Sequence, residues 1–207
     1  MCPQRIGFVQ AIALVFQDIF FPEQANDRLT LNALGGDDTV DASSLEADGI
    51  QLTVNGGLGN DVMKGSDGDD LFFGGDGNDV ALMGDGADTF VWNPGDDTDL
   101  VEGGDGTDTV EVNGGNGAEA FTTTANGTRV RFDRLDPAPF SIDIGTSENL
   151  VLNANGGNDS FSATGNLAAL IRITVDGGAG ADTLLGSNGI DLLLGGDDND
   201  FIDGQQG

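Results

Sequence analysis

Cut every nine residues, the stretch from 56 to 91 reads GGLGNDVMK GSDGDDLFF GGDGNDVAL MGDGADTFV, and this period decides the fold. The sixth place of each line is Asp (Asp61, Asp70, Asp79, Asp88) and the eighth is apolar (Met63, Phe72, Ala81, Phe90). Glycine at the first, second and fourth places suits a tight turn that needs positive φ and close backbone approach. Each turn leads into a three-residue strand with one inward side chain. Such a strand is too short to stand alone and must stack on neighbours about 4.8 Å away. One coil then takes two lines, so Asp61 lies over Asp79 and Asp70 over Asp88.

The same period returns at Gly177, Gly186, Gly195 and Gly204, with Asp182, Asp191 and Asp200 sixth and Leu184, Leu193 and Ile202 eighth. Asp182 should lie over Asp200. A longer repeat contains the short one: LTLNALGGDDTV (29–40) matches LVLNANGGNDSF (150–161), and QLTVNGGLGNDV (51–62) matches RITVDGGAGADT (172–183), both at an offset of 121. The expected architecture is all-β, a parallel β-roll or β-solenoid of nonapeptide repeats in two tandem modules, 27–112 and 148–207, with a β-rich connection at 113–147. The last turn, GQQG, stops before its Asp, which reads as a module cut short and a piece of a longer array.

Gly is 35 of the 207 residues, and 36 acids face seven Lys and Arg, for a net charge of −29. That balance argues against nucleic acid or an anionic membrane as partner and makes a cation the natural counterpart. Leu, Ile, Val and Phe make 55 residues, above the roughly 20% of disordered chains, so a thin core is expected. Without His or Tyr there is no Ser-His-Asp or Cys-His constellation and no imidazole zinc site. The lone Cys2 has no intrachain partner. No apolar run is long enough to span a membrane as a helix.

Residues 1–26 match nothing at the 121-residue offset. IGFVQAIALVF (6–16) is interrupted by Gln10 and lacks a small-residue cleavage site, so it reads as a capping helix or strand, or as a non-native start, rather than as a signal peptide. In the connection, TRVRF (128–132) and FSIDI (140–144) alternate apolar and polar residues and flank a turn at DPAP, which predicts two half-buried strands. Arg129, Arg131 and Arg134 there read as a solvated face against acidic neighbours.

Carboxylates stacked about 5 Å apart repel by roughly 1 kcal/mol in bulk water and about 3 at an effective dielectric of 20. Repeated along the roll, this opposes closure unless the carboxylates take up protons or a multivalent cation sits between them. Oxygen donors without a soft ligand point to Ca²⁺. Mg²⁺ fits less well because it keeps its waters and demands stricter geometry. DGDD (67–70) is not an EF-hand, since no Glu closes a twelve-residue loop, and no GxGxxG phosphate loop is present.

GGDGNDVAL (74–82) is a full GGxGxDxUx line, and in tandem these lines resemble the RTX (repeats-in-toxin) haemolysin-type calcium-binding proteins. The resemblance covers about 27–112 and 148–207. It implies a parallel β-roll with Ca²⁺ between turns two lines apart, folding coupled to Ca²⁺, and export to a Ca²⁺-rich exterior, commonly by a type I secretion system. By position it makes side-chain ligands of Asp61, Asp70, Asp79, Asp88, Asp182, Asp191 and Asp200. Main-chain carbonyls such as those of Gly57, Gly59, Gly75, Gly77, Gly178 and Gly180 would complete the sites.

Some lines depart from the pattern. Met83 replaces a first glycine, WNPGDDTDLVE (92–102) carries two extra residues, and Asp198 replaces a fourth glycine. Asp97 and Asp108 are therefore second-tier ligands, and the turns around Ile190 and Asp198 are expected to be weaker. LGGDD (34–38) and NGGND (155–159) put Asp38 and Asp159 at the sixth place and read either as structural starts to each module or as further metal lines.

The expected function is calcium binding by a secreted β-roll that is not an enzyme. Two alternatives stand beside it: the repeat-bearing part of a larger secreted toxin, adhesin or hydrolase whose activity lies outside the chain, and a metal-independent β-solenoid spacer.

Overall fold

The computed structural model describes residues 28–45 and 51–207, together with the backbone of 11–13. Among the described residues there is no helix, and nineteen strands form two sheets. The chain opens with β1 (Ala11–Ala13), β2 (Arg28–Asn32), β3 (Thr39–Asp41), β4 (Gln51–Leu58) and β5 (Val62–Lys64). Then come β6 (Leu71–Asp76), β7 (Val80–Gly86), β8 (Thr89–Trp92), β9 (Asp99–Gly106) and β10 (Thr109–Asn113). The middle holds β11 (Ala120–Asn126), β12 (Arg129–Asp136) and β13 (Phe140–Gly145). The last part runs through β14 (Asn149–Asn153), β15 (Ser160–Thr164), β16 (Arg172–Asp176), β17 (Thr183–Leu185), β18 (Asp191–Leu194) and β19 (Phe201–Asp203).

From β2 to β10 successive strands alternate between the sheets, so each strand pairs in parallel with one a full coil away. Thr53 sits beside Leu71, Val62 beside Val80 and Leu71 beside Thr89, the eighteen-residue step that two nine-residue lines require. The two extra residues of 92–102 lengthen the step to twenty, putting Val80 beside Leu100 and Thr89 beside Thr109. Both arrays build the same two sheets, because β10 pairs with β14 and β11 with β15. The chain is a parallel β-roll.

The middle segment interrupts only one sheet. β12 and β13 form an antiparallel hairpin whose free edges pair with β11 and β9, adding two strands to the eleven-stranded sheet without adding any to the eight-stranded one. The alternation in TRVRF and FSIDI is realised: Val130, Phe132, Phe140, Ile142 and Ile144 are all buried.

The core is the space between the sheets. Met63, Phe72, Ala81, Phe90 and Leu184 are fully enclosed there, as the eighth-place rule requires. A second inward position appears in the longer strands, where Leu52 and Val54, Val110 and Val112, and Leu150 and Leu152 point inward two residues apart. Met83, at the first place of its line, uses this position and is itself fully buried. At the other end Leu193 is half-buried and Ile202 is 46% exposed, since no described strand stacks outside β18 and β19.

Of the N-terminal segment, Ala11–Ala13 pairs with β3 as an outer strand. The remainder of 1–27 lies outside the described residues, as do 46–50.

Candidate metal-binding ladders

The sixth-place carboxylates form two ladders, one on each edge of the roll, each just ahead of a strand. On the first edge the Asp38 N–H donates to Asp61 Oδ1 (2.7 Å), that of Asp61 to Asp79 Oδ1 (2.7 Å) and that of Asp79 to Asp99 Oδ1 (2.9 Å). Beyond the hairpin this edge resumes with Glu119 N–H to Asp159, Asp159 to Asp182 and Asp182 to Asp200. On the second edge Asp70 N–H donates to Asp88 Oδ1 (2.8 Å), Asp88 to Asp108 Oδ1 (2.9 Å) and Asp108 to Glu148 Oε2 (2.8 Å). Each accepting carboxylate therefore spends one oxygen on the coil before it.

The other oxygen is what gives the ladders their chemistry. Oδ2 of Asp61, Asp79, Asp88, Asp99, Asp108, Asp159 and Asp182 is buried without a hydrogen-bond partner. Buried polar atoms without a partner are rare in folded proteins, and leaving one costs about 1–3 kcal/mol, more when it is charged.

The Oδ2 atoms of Asp61, Asp108 and Asp182 lie near main-chain carbonyls at the first-place glycines. A Cβ placed on Gly56 would lie 2.6 Å from Asp61 Oδ2 and against the Gly74 carbonyl, and one on Gly103 would lie 2.5 Å from Asp108 Oδ2 and against the Thr146 carbonyl. Gly57, Gly59, Gly75, Gly77, Gly178 and Gly180 all sit at left-handed φ, from +89° to +138°. A side chain on any of them would strike a carbonyl one coil back. Hard oxygen donors thus converge without a soft ligand, a donor set that suits Ca²⁺. Among the described residues no three His, Cys, Asp or Glu side chains come together as a metal cluster. The ladders supply stacked carboxylates singly, and carbonyls would have to fill the rest of an oxygen shell.

Burial raises these carboxyls well above the usual Asp range. Asp79 and Asp159 are pushed to about 6, Asp88 to about 7 and Asp99 to about 8, while Asp61 and Asp108 move the same way. Desolvation is the largest cause in every case, the N–H of the preceding coil opposes it, and repulsion from stacked neighbours adds a smaller push upward. The inter-carboxylate repulsion emphasised by the sequence pattern is therefore the lesser part of the penalty.

Asp97 is not on a ladder. It is exposed, and the rung belongs to Asp99, which is 3% exposed and accepts from Asp79. The two extra residues shift the sixth place, and the apolar residue two positions on, buried Val101, is the signal that identifies Asp99. Asp38 and Asp159 occupy rungs as their lines suggested. Glu119 and Glu148, each two residues before a buried apolar side chain (Phe121, Leu150), are rungs that a search for Asp alone misses.

Asp70 and Asp191 differ from the other rungs. Ser66 N–H and Oγ donate to Asp70 (2.6 and 2.9 Å), and Ser187 N–H and Oγ donate to Asp191 (2.5 and 2.9 Å). Asp200 lies half-buried beside the outermost strand. Arg134, read from sequence as solvated, is buried: it pairs with Glu119 at 2.9 Å and lies over the stacked rings of Trp92 and Phe140.

A family model for the RTX calcium-binding nonapeptide repeat, in four copies, matches residues 53–81 and 176–207. No curated protein and no solved structure is matched by the chain. The matched segments contain Asp61, Asp70, Asp79, Asp182, Asp191 and Asp200, rungs of both ladders and of both arrays. With its lines stacked at eighteen residues and its carboxylates set beside glycine turns, the chain carries RTX-type calcium-binding nonapeptide repeats in both of its arrays.

Proposed function

We propose that the chain binds Ca²⁺ through the turns whose Asp Oδ2 atoms lack partners, and that this binding completes the folding of a secreted, non-catalytic β-roll. The observation that carries the reading is the set of seven buried, partnerless carboxylate oxygens at equivalent places of the repeat. Asp61, Asp79, Asp88, Asp99, Asp108, Asp159 and Asp182 would hold the ions together with main-chain carbonyls of the glycine turns. Bound Ca²⁺ supplies the positive charge that lets these carboxylates ionise inside the fold.

Without that charge each rung either keeps a proton or carries an uncompensated buried charge, and a net charge of −29 favours an expanded chain at neutral pH. Extracellular calcium modules have dissociation constants of about 10⁻⁴ to 10⁻³ M, which leaves such sites empty in cytosol and filled outside. That difference lets the chain be exported before it folds.

Calorimetric titration of the intact chain with Ca²⁺ and, separately, Mg²⁺ tests the reading. Strong Ca²⁺ heats, weak Mg²⁺ heats and a reduced Ca²⁺ stoichiometry in Asp88→Asn are expected. Equal responses to the two ions, or an Asp88→Asn chain that binds as much Ca²⁺ as wild type, would count against it.

A further inference from the structure

The turns of this roll come in two conformers. In the open conformer the second and fourth places both have left-handed φ, as at Gly57 and Gly59, Gly75 and Gly77, Gly84 and Gly86, Gly104 and Gly106, Asn155 and Gly157, and Gly178 and Gly180. Each of these six turns ends in an Asp whose Oδ2 has no partner: Asp61, Asp79, Asp88, Asp108, Asp159 and Asp182. Leu34 and Gly36, and Gly196 and Asp198, share the conformer ahead of Asp38 and Asp200 at the two ends of one ladder, and Asp99, the seventh partnerless rung, follows a turn with left-handed φ at its second place, Gly95, alone.

Three other turns, 65–70, 114–119 and 186–191, lack left-handed φ at both places. There the second-place N–H swings inward and donates to the carboxylate of its own line. Ser66 N–H reaches Asp70 Oδ2 at 2.6 Å, Gly115 N–H reaches Glu119 Oε2 at 2.6 Å and Ser187 N–H reaches Asp191 Oδ2 at 2.5 Å. These are short, charge-assisted bonds.

A further donor closes each turn. In the two serine turns Oγ donates to the Asp and accepts from the fourth-place glycine N–H, with Gly68 to Ser66 at 3.1 Å and Gly189 to Ser187 at 2.8 Å. In the third the donor is a cation built into the protein. Arg134 comes from the hairpin to pair with Glu119, its Nε and Nη2 donate to the Ala138 carbonyl, and its face rests about 5 Å from the Trp92 and Phe140 ring centres. Asp70, Glu119 and Asp191 are accordingly missing from the buried oxygens without partners.

We propose that Ser66, Ser187 and Arg134 take the place of calcium in their turns, so that lines 65–70, 114–119 and 186–191 bind no metal ion: serine at the second place closes two of them, and Arg134 closes the third, whose second place is Gly115. This rests on the calcium reading of the open turns. It assigns the sixth-place Asp70 and Asp191, which fit the ligand pattern by position, to a purely structural role. Glycine at place 66 or 187 would turn GSDGDD and GSNGID into GGDGDD and GGNGID, the sequence pattern of an open turn.

Equilibrium dialysis of the full chain against Ca²⁺, with bound metal read by atomic emission, tests the assignment. Asp70→Asn and Asp191→Asn should keep the wild-type stoichiometry, Asp88→Asn and Asp182→Asn should lower it, and Ser66→Gly should raise it. The Ser66→Gly gain cannot be mimicked by a variant that merely misfolds. If Asp70→Asn loses as much bound Ca²⁺ as Asp88→Asn, or if Ser66→Gly leaves the total unchanged, the assignment fails while the calcium reading stands. A wild-type chain that binds no Ca²⁺ overturns both.

Discussion

Asp79 serves two coils at once. Its Oδ1 accepts the Asp61 N–H, its own N–H donates to Asp99, and its buried Oδ2 has no partner. Asp79→Ala strands a buried N–H and should cost about 1–3 kcal/mol in denaturant unfolding at saturating Ca²⁺. Asp97→Ala, at an exposed position off the ladder, should stay within about 0.5 kcal/mol of wild type in the same assay. The contrast also shows what sequence reveals at this scale. Most rungs can be found by counting nine, but Asp99 requires counting back from Val101, because an insertion moves the turn and leaves the strand register intact. The raised carboxyls also set a pH dependence. Their folded values lie above the ordinary 3.8, so their contribution to the metal-free fold is fully present below that value and is lost as pH rises through about 6 to about 8. Circular dichroism of the chelated chain should show β signal in mild acid that fades across this window, and saturating Ca²⁺ should abolish the fading.

At the scale of elements, the β12–β13 hairpin is where the roll departs from its own repeat. Phe132 is fully buried between Phe121 and Phe140, at ring-centre distances of 5.7 and 6.0 Å. Phe132→Ala should lower stability by about 3–5 kcal/mol, measured by denaturant unfolding in Ca²⁺. Arg134→Met removes the partner of buried Glu119 and should cost about 3–5 kcal/mol in the same experiment, with Glu119→Gln in the Arg134→Met background recovering part of the loss. The two strands are legible in the alternation of TRVRF and FSIDI. Their place between β9 and β11 is not, because strand order is a non-local property and the repeat alone would pair those two directly. Arg134 misleads for a related reason. An arginine among acids reads as solvated, and only the hairpin brings it onto Trp92 and Phe140.

For the whole molecule, the two arrays share both sheets, so an ion held at one rung would stabilise strands that carry the next. Stability in such a roll is close to a sum of coil and neighbour terms. Charge acts on the whole chain as well: 36 acids against seven bases repel one another along its length. The period of nine makes this architecture visible in sequence, since the turn, the rung and the core residue recur at fixed places. Which turns close on themselves is less visible, because it depends on the φ of a second-place residue and, in one case, on an arginine from another element. The central claim is that the buried carboxylate oxygens make folding depend on Ca²⁺. It is tested most directly by circular dichroism and light scattering on the chelated chain at neutral pH, before and after addition of millimolar Ca²⁺. The account predicts an expanded chain that gains β signal and contracts as Ca²⁺ is added; a chelated chain that is already compact, with a β spectrum unchanged by Ca²⁺, would contradict it.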